Sequence, residues 1–203
     1  LLSMARRMRF DGDENSIAMA ESALQINPNL VGARVFLSRQ LLSAERFDDA
    51  IKEITPALET NPVSLEALPI LAAANYLRGD TIGFEEIRDR IFAVNSGYAD
   101  FYNTLAELLV ENRMYAEAVN FARKATVTDP ESWRAHGILG INQLRIGNVE
   151  GGRSSLEISF SGDPYNVWVK NTLDLLDTFP DYVESSTERF DLMVETSETG
   201  LLS

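Results

Sequence analysis

The chain has 203 residues, 45% of them hydrophobic, and its 31 acidic and 18 basic side chains give a net charge of −13. The absence of cysteine excludes disulfide frameworks and thiolate metal sites, and the negative charge argues against nucleic-acid or anionic-membrane partners. No run of 18 or more apolar residues occurs, so we expect no insertion into a membrane.

The sequence opens on Leu1, already inside an apolar helical pattern, and we interpret it as a fragment of a longer protein. A signal peptide, if the longer protein has one, would precede this residue. The composition fits the cytoplasm and the periplasm equally well, so the sequence predicts no compartment.

Turn-forming dipeptides recur in one register along the chain. They are Asn27-Pro28, Asn61-Pro62, Asn95-Ser96, Asp129-Pro130 and Asp163-Pro164, each 34 residues after the one before. A helix ends before such a proline, which lacks an N–H and disfavours helical geometry in the preceding residue. The predicted repeats span 1–30, 31–64, 65–98, 99–132 and 133–166, followed by a capping helix at 167–179.

Small residues hold matching positions in these repeats, where two helices must approach closely. They are Ser38, Ala50 and Ala57 in the second repeat, Ala106, Ala118 and Ala125 in the fourth, and Gly140, Gly152 and Ser159 in the fifth. Together with the turns, this pattern resembles the tetratricopeptide repeat (TPR) family. The resemblance implies an all-α fold, a TPR-type α-solenoid of antiparallel helix pairs wound as a right-handed superhelix.

The third repeat departs most from the family pattern. Phe84, Arg88 and Ile91 stand where alanine or small apolar residues are expected, and Ser96 replaces the proline. Pro69 falls about one turn into the first helix of this repeat, where it removes a backbone hydrogen bond or bends the helix. We therefore expect the solenoid to be irregular here.

Residues 180–203 leave the helical pattern. Phe190, Leu192 and Val194 alternate with polar or flexible neighbours, which is typical of a half-buried strand. We interpret 180–203 as a linker or β-like tail, with this strand as a candidate first strand of a following domain. The stretch 179–198 is similar to the junction in bacterial proteins where a TPR array precedes a zinc metallopeptidase domain. No HExxH motif occurs in the chain, so the resemblance implies no metal ligand or catalytic residue here.

Two short motifs imitate ligand-binding loops. Residues 147–154 nearly fit a phosphate loop, but Arg153 replaces its lysine and a helix precedes it, so we favour a helix–helix turn. Asp11, Asp13 and Asn15 resemble the start of a calcium loop whose glycine and final glutamate are missing.

Isolated aromatic residues leave two interpretations open. His136 is the sole histidine, and a structural role is favoured over metal or acid–base chemistry because no catalytic partner is recognisable. Trp133 and Trp168 are either ligand platforms or parts of the helix packing, and the second is favoured. We predict no catalytic residue, no metal site and no cofactor.

The TPR resemblance also implies a ligand groove lined by the first helix of each repeat. The positions carried over are Val35, Arg39, Leu42, Glu66, Tyr76, Asn103, Glu107, Arg134, Ile141, Leu144 and Arg145. They do not reproduce the basic clamp that grips acidic chaperone tails. The mixture of apolar and charged residues at these positions favours an amphipathic helix or an extended segment as the ligand. A groove that is empty, or filled by a neighbouring domain of the same polypeptide, is the alternative.

Three functions fit the sequence. The first is a protein-interaction scaffold that binds a protein or peptide segment in the concave groove. The second is an accessory, substrate-positioning region of a larger enzyme, such as a metallopeptidase, whose catalytic domain lies outside this chain. The third is a structural spacer within an assembly.

Overall fold

The computed structural model describes residues 14–186 and 189–197. Ten helices lie within them: α1 (Glu14–Ile26), α2 (Val31–Ser43), α3 (Phe47–Thr60), α4 (Leu68–Arg78), α5 (Thr81–Val94), α6 (Ala99–Glu111), α7 (Tyr115–Thr128), α8 (Trp133–Arg145), α9 (Val149–Gly162) and α10 (Val167–Asp177). A 3₁₀ turn at Phe179–Asp181 leads to β1 (Tyr182–Ser186) and β2 (Asp191–Glu195). The first part of the first predicted repeat, with Asp11 and Asp13 of the calcium-loop motif, lies outside the described residues.

The helices stack in consecutive pairs, α2 with α3, α4 with α5, α6 with α7 and α8 with α9. The first helices of neighbouring pairs, α2, α4, α6 and α8, also touch one another and form one face of the stack. Helix α1 packs on α2 at one end, and α10 packs on α9 at the other.

The turns between the pairs all contain the same type of hydrogen bond, which explains why they recur in one register along the chain. In each, the side-chain oxygen of an Asn or Asp accepts the backbone N–H two residues later, at 3.0–3.2 Å. The acceptors are Asn27, Asn61, Asn95, Asp129 and Asp163. Because the Asn or Asp supplies this bond itself, the third turn keeps the same geometry with Ser96 in place of proline.

Small side chains allow the two helices of a pair to pack closely. In the last pair, a Cβ atom added to Gly140 would lie 2.9 Å from the carbonyl oxygen of Gly152, and one added to Gly152 would lie 3.1 Å from the oxygen of Gly140. The backbones of α8 and α9 are therefore nearly in contact, so even a methyl group does not fit between them.

The third repeat accommodates its proline at the start of the helix. Helix α4 begins one residue before Pro69, so this residue lies in the first turn, which corrects the expectation that it lies deeper. The carbonyl oxygen of Leu65, which would otherwise accept an N–H from position 69, accepts the hydroxyl of Tyr98 at 3.0 Å. The lost backbone bond is thus replaced by a side chain from the end of the same repeat, just before α6.

Larger side chains in this repeat build an aromatic core. Phe84 stands at an alanine position of the pattern, and its ring centroid lies 5.4 Å from that of Tyr76 and 6.0 Å from that of Phe121. Phe92, Phe101 and Tyr102 extend the cluster. Aromatic packing therefore replaces the close contact of helices at this point.

The tail forms a hairpin rather than a single strand. Strand β2 contains Leu192 and Val194 of the predicted alternating segment, while Phe190 precedes it. It pairs antiparallel with β1, from Tyr182 opposite Glu195 to Ser186 opposite Asp191. The prediction of a β-like tail is confirmed. The first strand was missed because its sequence, Tyr-Val-Glu-Ser-Ser, is mostly polar.

Candidate binding cleft

The face formed by the first helices is closed in its N-terminal half by an ionic clasp between α2 and α6. One Nη of Arg39 lies 3.2 Å from Glu107 and 3.4 Å from Glu111. Ser43 also donates a hydrogen bond to Glu111. These residues are about two repeats apart in sequence, so the clasp crosses over α4, the helix between them.

Helix α4 lies beneath this clasp and is buried around most of its circumference. Its buried residues are Leu68, Pro69, Ile70, Ala72, Ala73, Ala74 and Asn75. Three consecutive alanines in the middle of the helix leave room for α2 and α6 to approach each other. Among the residues that the structure describes, the clasp therefore bridges this half of the face above α4.

The clasp continues toward the C-terminal half through Glu107. Its second carboxylate oxygen lies 2.7 Å from Arg134, which also lies 2.8 Å from Asp100. Burial alone would lower the pKa of Arg134, but the charge and hydrogen bond of Glu107, with the charge of Asp100, raise it above the ordinary value. These groups thus neutralise one another.

The C-terminal half of the same face contains an open cleft of about 400 Å³ between α6, α8 and α10. Its lining is mostly apolar and comprises Glu107, Val110, Glu111, Trp133, Arg134, Gly137, Ile138, Ile141, Asn142, Ser159, Asn166, Trp168 and Val169. Trp133 is 45% exposed and Trp168 is 74% exposed, so the two indole rings are accessible along the cleft. Leu175, one repeat beyond Ile141, is also exposed.

Gly137 lies in the lining of the cleft, where α8 packs closely against α9. A Cβ atom added there would lie 2.9 Å from the hydroxyl oxygen of Ser159 and 3.8 Å from a methyl carbon of Val169. Ser159 is 1% exposed, and its hydroxyl has no hydrogen-bond partner among the described residues. The missing side chain of Gly137 thus lets α9 pack the Ser159 hydroxyl directly against α8, with almost no surface exposed to the cleft.

An acidic pocket adjoins the cleft at Trp133 and Arg134, which line both. Its volume is about 410 Å³, and Asp100, Asp129 and Glu131 supply its carboxylates. Asp100 is already paired with Arg134. The carboxylates of Asp129 and Glu131 have no ion pair within the described part of the chain.

No protein-family model and no curated protein sequence matches the chain, whereas solved structures do. TTC0263, a thermophilic TPR protein from Thermus thermophilus, is 14% identical, with 86% of this chain and 96% of that chain covered and a TM-score of 0.61. A tetratricopeptide repeat protein from Parabacteroides merdae is 18% identical, with 85% and 68% covered and a TM-score of 0.59. The chain has the TPR fold. The predicted fold class, a TPR-type α-solenoid with a β-like tail, is therefore confirmed.

Some of the residues carried over from TPR proteins do lie at the clasp or the cleft. Arg39, Glu107 and Arg134 meet in the clasp, although they bind one another instead of presenting free charges to a ligand. Ile141 lines the cleft. Glu66 is exposed outside the cleft lining.

Other carried-over residues pack in or against the core and are not part of the cleft lining. Leu42 is 0% exposed within the main core, and Asn103 is buried as well. Val35 is half-buried and packs on the same core. Leu144 packs against Gly152, whose added Cβ would lie 2.6 Å from its Cδ2.

Two further residues point away from the cleft toward second helices. The ring of Tyr76 lies 5.1 Å from that of Phe121 on α7. The guanidinium of Arg145 lies 5.2 Å from the ring centre of Tyr115, also on α7. Tyr76 and Arg145 therefore lie outside the lining of the cleft.

The cleft also contains residues to which the sequence assigns another role. Trp168 is expected to pack between helices, yet it is largely exposed and lines the cleft, as does Trp133. The sequence does contain a signal for this exposed surface, because Trp168 and Leu175 lie seven residues apart on one face of α10. Apolar residues at this spacing share one side of a helix, so the pattern predicts an exposed apolar surface on α10.

The motifs that imitate ligand sites have structural roles where they are described. Gly147 adopts a positive φ of 83° and Asn148 caps α9 by accepting the N–H of Gly151 at 3.0 Å, so this segment is a helix–helix turn. His136 makes a hydrogen bond of 3.0 Å to the carbonyl oxygen of Pro130. Within the described residues there is no group of three or more potential metal ligands. None of the described helices is long and apolar enough to cross a membrane.

Proposed function

We propose that this chain is a protein-interaction scaffold that binds a segment of another protein in the cleft between α6, α8 and α10. The single observation that supports this most is the exposed apolar surface that crosses three first helices in the C-terminal half. An apolar surface of this kind, rimmed by polar groups, is typical of protein-binding sites.

The dimensions and chemistry of the cleft suit a peptide segment. Its volume of about 400 Å³ lies within the roughly 300–1,000 Å³ of ligand pockets. Exposed tryptophan rings supply large contact area and are common at binding hot spots. An amphipathic helix or an extended segment can place its apolar side here and its polar side toward solvent.

Site-specific photo-crosslinking in the source cells tests this proposal. A photoreactive phenylalanine analogue replaces Trp168, and in a matched control it replaces Ile82, which is 75% exposed on the second helix α5. We expect a discrete crosslinked protein only with the label in the cleft. Equal crosslinking at both positions, or none at Trp168, would contradict binding at this site.

The tail favours a second candidate, an accessory TPR region of a larger enzyme such as a metallopeptidase. The β1–β2 hairpin lies outside the repeat pattern and directly follows α10. A β segment at this point suits the start of a following domain. Sequencing of the coding region downstream of Ser203 tests this candidate, which fails if no catalytic domain follows.

A further inference from the structure

A separate hollow of about 640 Å³ lies on the second helix α7 and shares no lining residue with the cleft. Its lining comprises Tyr102 of α6 and, from α7, Asn120, Arg123, Lys124, Val127 and Thr128. We call this surface the basic hollow. We propose that it is a second docking site, which binds an acidic segment of a partner protein. Carboxylates of the segment bind Arg123 and Lys124, and an apolar side chain beside them packs on Tyr102 and Val127.

The first argument is that the two cations are uncompensated. Arg123 and Lys124 are both exposed, and neither forms an ion pair within the described part of the chain. The lining of the basic hollow, as described, contains no carboxylate. Two adjacent unpaired cations in a chain with a net charge of −13 form a local surface of the opposite sign, which attracts an anionic segment.

The second argument is that the repeat reverses its charge at this position. Asp89 and Glu157 lie 34 residues before and after Arg123, on the neighbouring second helices. Each of these carboxylates pairs with an arginine of its own helix, Asp89 with Arg88 at 2.7 Å and Glu157 with Arg153 at 3.7 Å. Helix α7 therefore presents a cation where its neighbours present a neutralised carboxylate.

The third argument is the position of the lysine ammonium group. The Nζ of Lys124 lies 4.9 Å from the ring centre of Phe121 and 5.8 Å from that of Tyr102. Cation–π contacts of this kind orient an ammonium group but leave its charge uncompensated. The cation is thus held at the edge of the basic hollow, where it can bind a carboxylate.

The fourth argument is the apolar surface next to the cations. Val127 is 77% exposed and lies one helical turn beyond Arg123 and Lys124, so the three side chains are neighbours on α7. The half-buried ring of Tyr102 adds a second apolar surface. An apolar residue adjacent to an acidic one can bury area here, which a free anion cannot do.

Charges beyond the basic hollow restrict where the acidic residue binds. An adjoining hollow of about 300 Å³ shares Asn120 and Lys124 and is lined by Glu85 and Glu117. Glu85 is paired with Arg88, whereas Glu117 has no ion pair among the described residues. A carboxylate is therefore repelled on the Glu117 side of Lys124 and attracted on the Arg123 side.

Three capped hexapeptides test this proposal. They are Gly-Glu-Leu-Glu-Leu-Gly, the same peptide with glutamine for glutamate, and the same peptide with alanine for leucine. Each is titrated into the whole chain at about 0.1 M salt, which screens the net charge beyond about 10 Å, while the backbone amide signals are followed by NMR. We expect the first peptide to shift the signals of residues 120–128 and to bind about 3- to 10-fold more tightly than the glutamine peptide. The alanine peptide should also bind more weakly than the first.

A double variant and a matched control assign the effect to the two cations. Arg123→Gln combined with Lys124→Gln removes two exposed charges without an ion pair, so the chain should remain folded. The glutamate and glutamine peptides should then bind equally. Arg46→Gln combined with Lys52→Gln changes the net charge by the same amount at exposed positions next to and on α3. This control should keep the preference for glutamate.

The possible outcomes separate the site from general attraction. Equal affinity of the unaltered chain for the glutamate and glutamine peptides would overturn the proposal, as would a preference that survives in the Arg123 and Lys124 variant. A preference that is lost equally in the Arg46 and Lys52 control would also overturn it, because net charge would then be the cause. Equal affinity for the leucine and alanine peptides would overturn the apolar contact. Trp168→Ala should leave peptide binding unchanged, so this test is independent of binding in the cleft.

Discussion

The two halves of the first-helix face have the same architecture and opposite surfaces. Along the chain, one position of the repeat is occupied by Arg39, Ala73, Glu107, Ile141 and Leu175, each 34 residues after the last. The first three close the face, with an Arg–Glu pair above a buried alanine. The last two leave it open and apolar. The comparison teaches that the repeat determines where a side chain lies on this face. The size and charge of that side chain then determine whether the face is closed or forms an open cleft.

The largest expected difference in stability is between the alanine variants of two leucines, one in the closed half of the face and one in the open half. Leu42→Ala removes a fully buried side chain and should lower the free energy of unfolding by about 2–5 kcal/mol. Leu175→Ala removes one that is 59% exposed and should change it by no more than about 0.5 kcal/mol. Urea denaturation followed by circular dichroism measures both, and equal effects would contradict the different placement of the two residues.

The next effect concerns the clasp itself. Glu107→Ala leaves Arg134 without its closest carboxylate and weakens the pairing of Arg39, whose side chain is only 13% exposed. We expect a loss of about 1–3 kcal/mol in the free energy of unfolding.

Amide hydrogen exchange shows which helices lose stability in Glu107→Ala. The amides of α4, which lie beneath the clasp, should exchange faster in Glu107→Ala, while those of α10 should not. Glu86→Ala, at an exposed position of α5, is the matched control and should leave both unchanged. Protection of α4 identical to that of the wild type would show that the clasp does not hold this half closed.

A smaller effect is a difference between the two halves in how the stability of a helix cap depends on pH. Asp80 caps α5 by accepting the N–H of Gly83 at 2.9 Å. That hydrogen bond, followed by the side-chain bond from Arg78, lowers the pKa of its carboxyl group. Asn148, 68 residues later, caps α9 in the same way and does not titrate.

The lowered pKa makes the unfolded state bind more protons, so the contribution of Asp80 to stability is lost as pH falls. It is fully present above the unfolded value of about 4 and disappears as pH passes down through the folded pKa. The first turn of α5 should therefore fray in acid while that of α9 persists, as followed by amide exchange. Asp80→Asn should remove this difference. Parallel fraying of both turns in acid would contradict the assignment.

The sequence predicted the repeats because local chemistry determines them. The Asn or Asp turns and small residues such as Gly140 act within one helix pair, so their 34-residue spacing carries the fold. The clasp could not be predicted in this way, because Arg39 and Glu107 are two repeats apart and meet only where the alanines of α4 let two helices converge. The lining of the cleft was predicted in part, since Ile141 was among the expected groove residues. Gly137 and Ser159 were not, because they come together only when α8 and α9 pack against each other.

Replacement of Trp168, like that of Leu175, should have little effect on stability, and it tests the role of the open half directly. Trp168→Ala removes a side chain that is 74% exposed, so the free energy of unfolding should change by no more than about 0.5 kcal/mol. Binding of a partner segment should nevertheless fall, because the ring lines the open cleft. Phe101→Ala is the opposite case, since that ring is fully buried and its loss should cost about 3–5 kcal/mol. A strongly destabilised Trp168→Ala would mean that this ring serves the packing of the terminal helix instead of a partner.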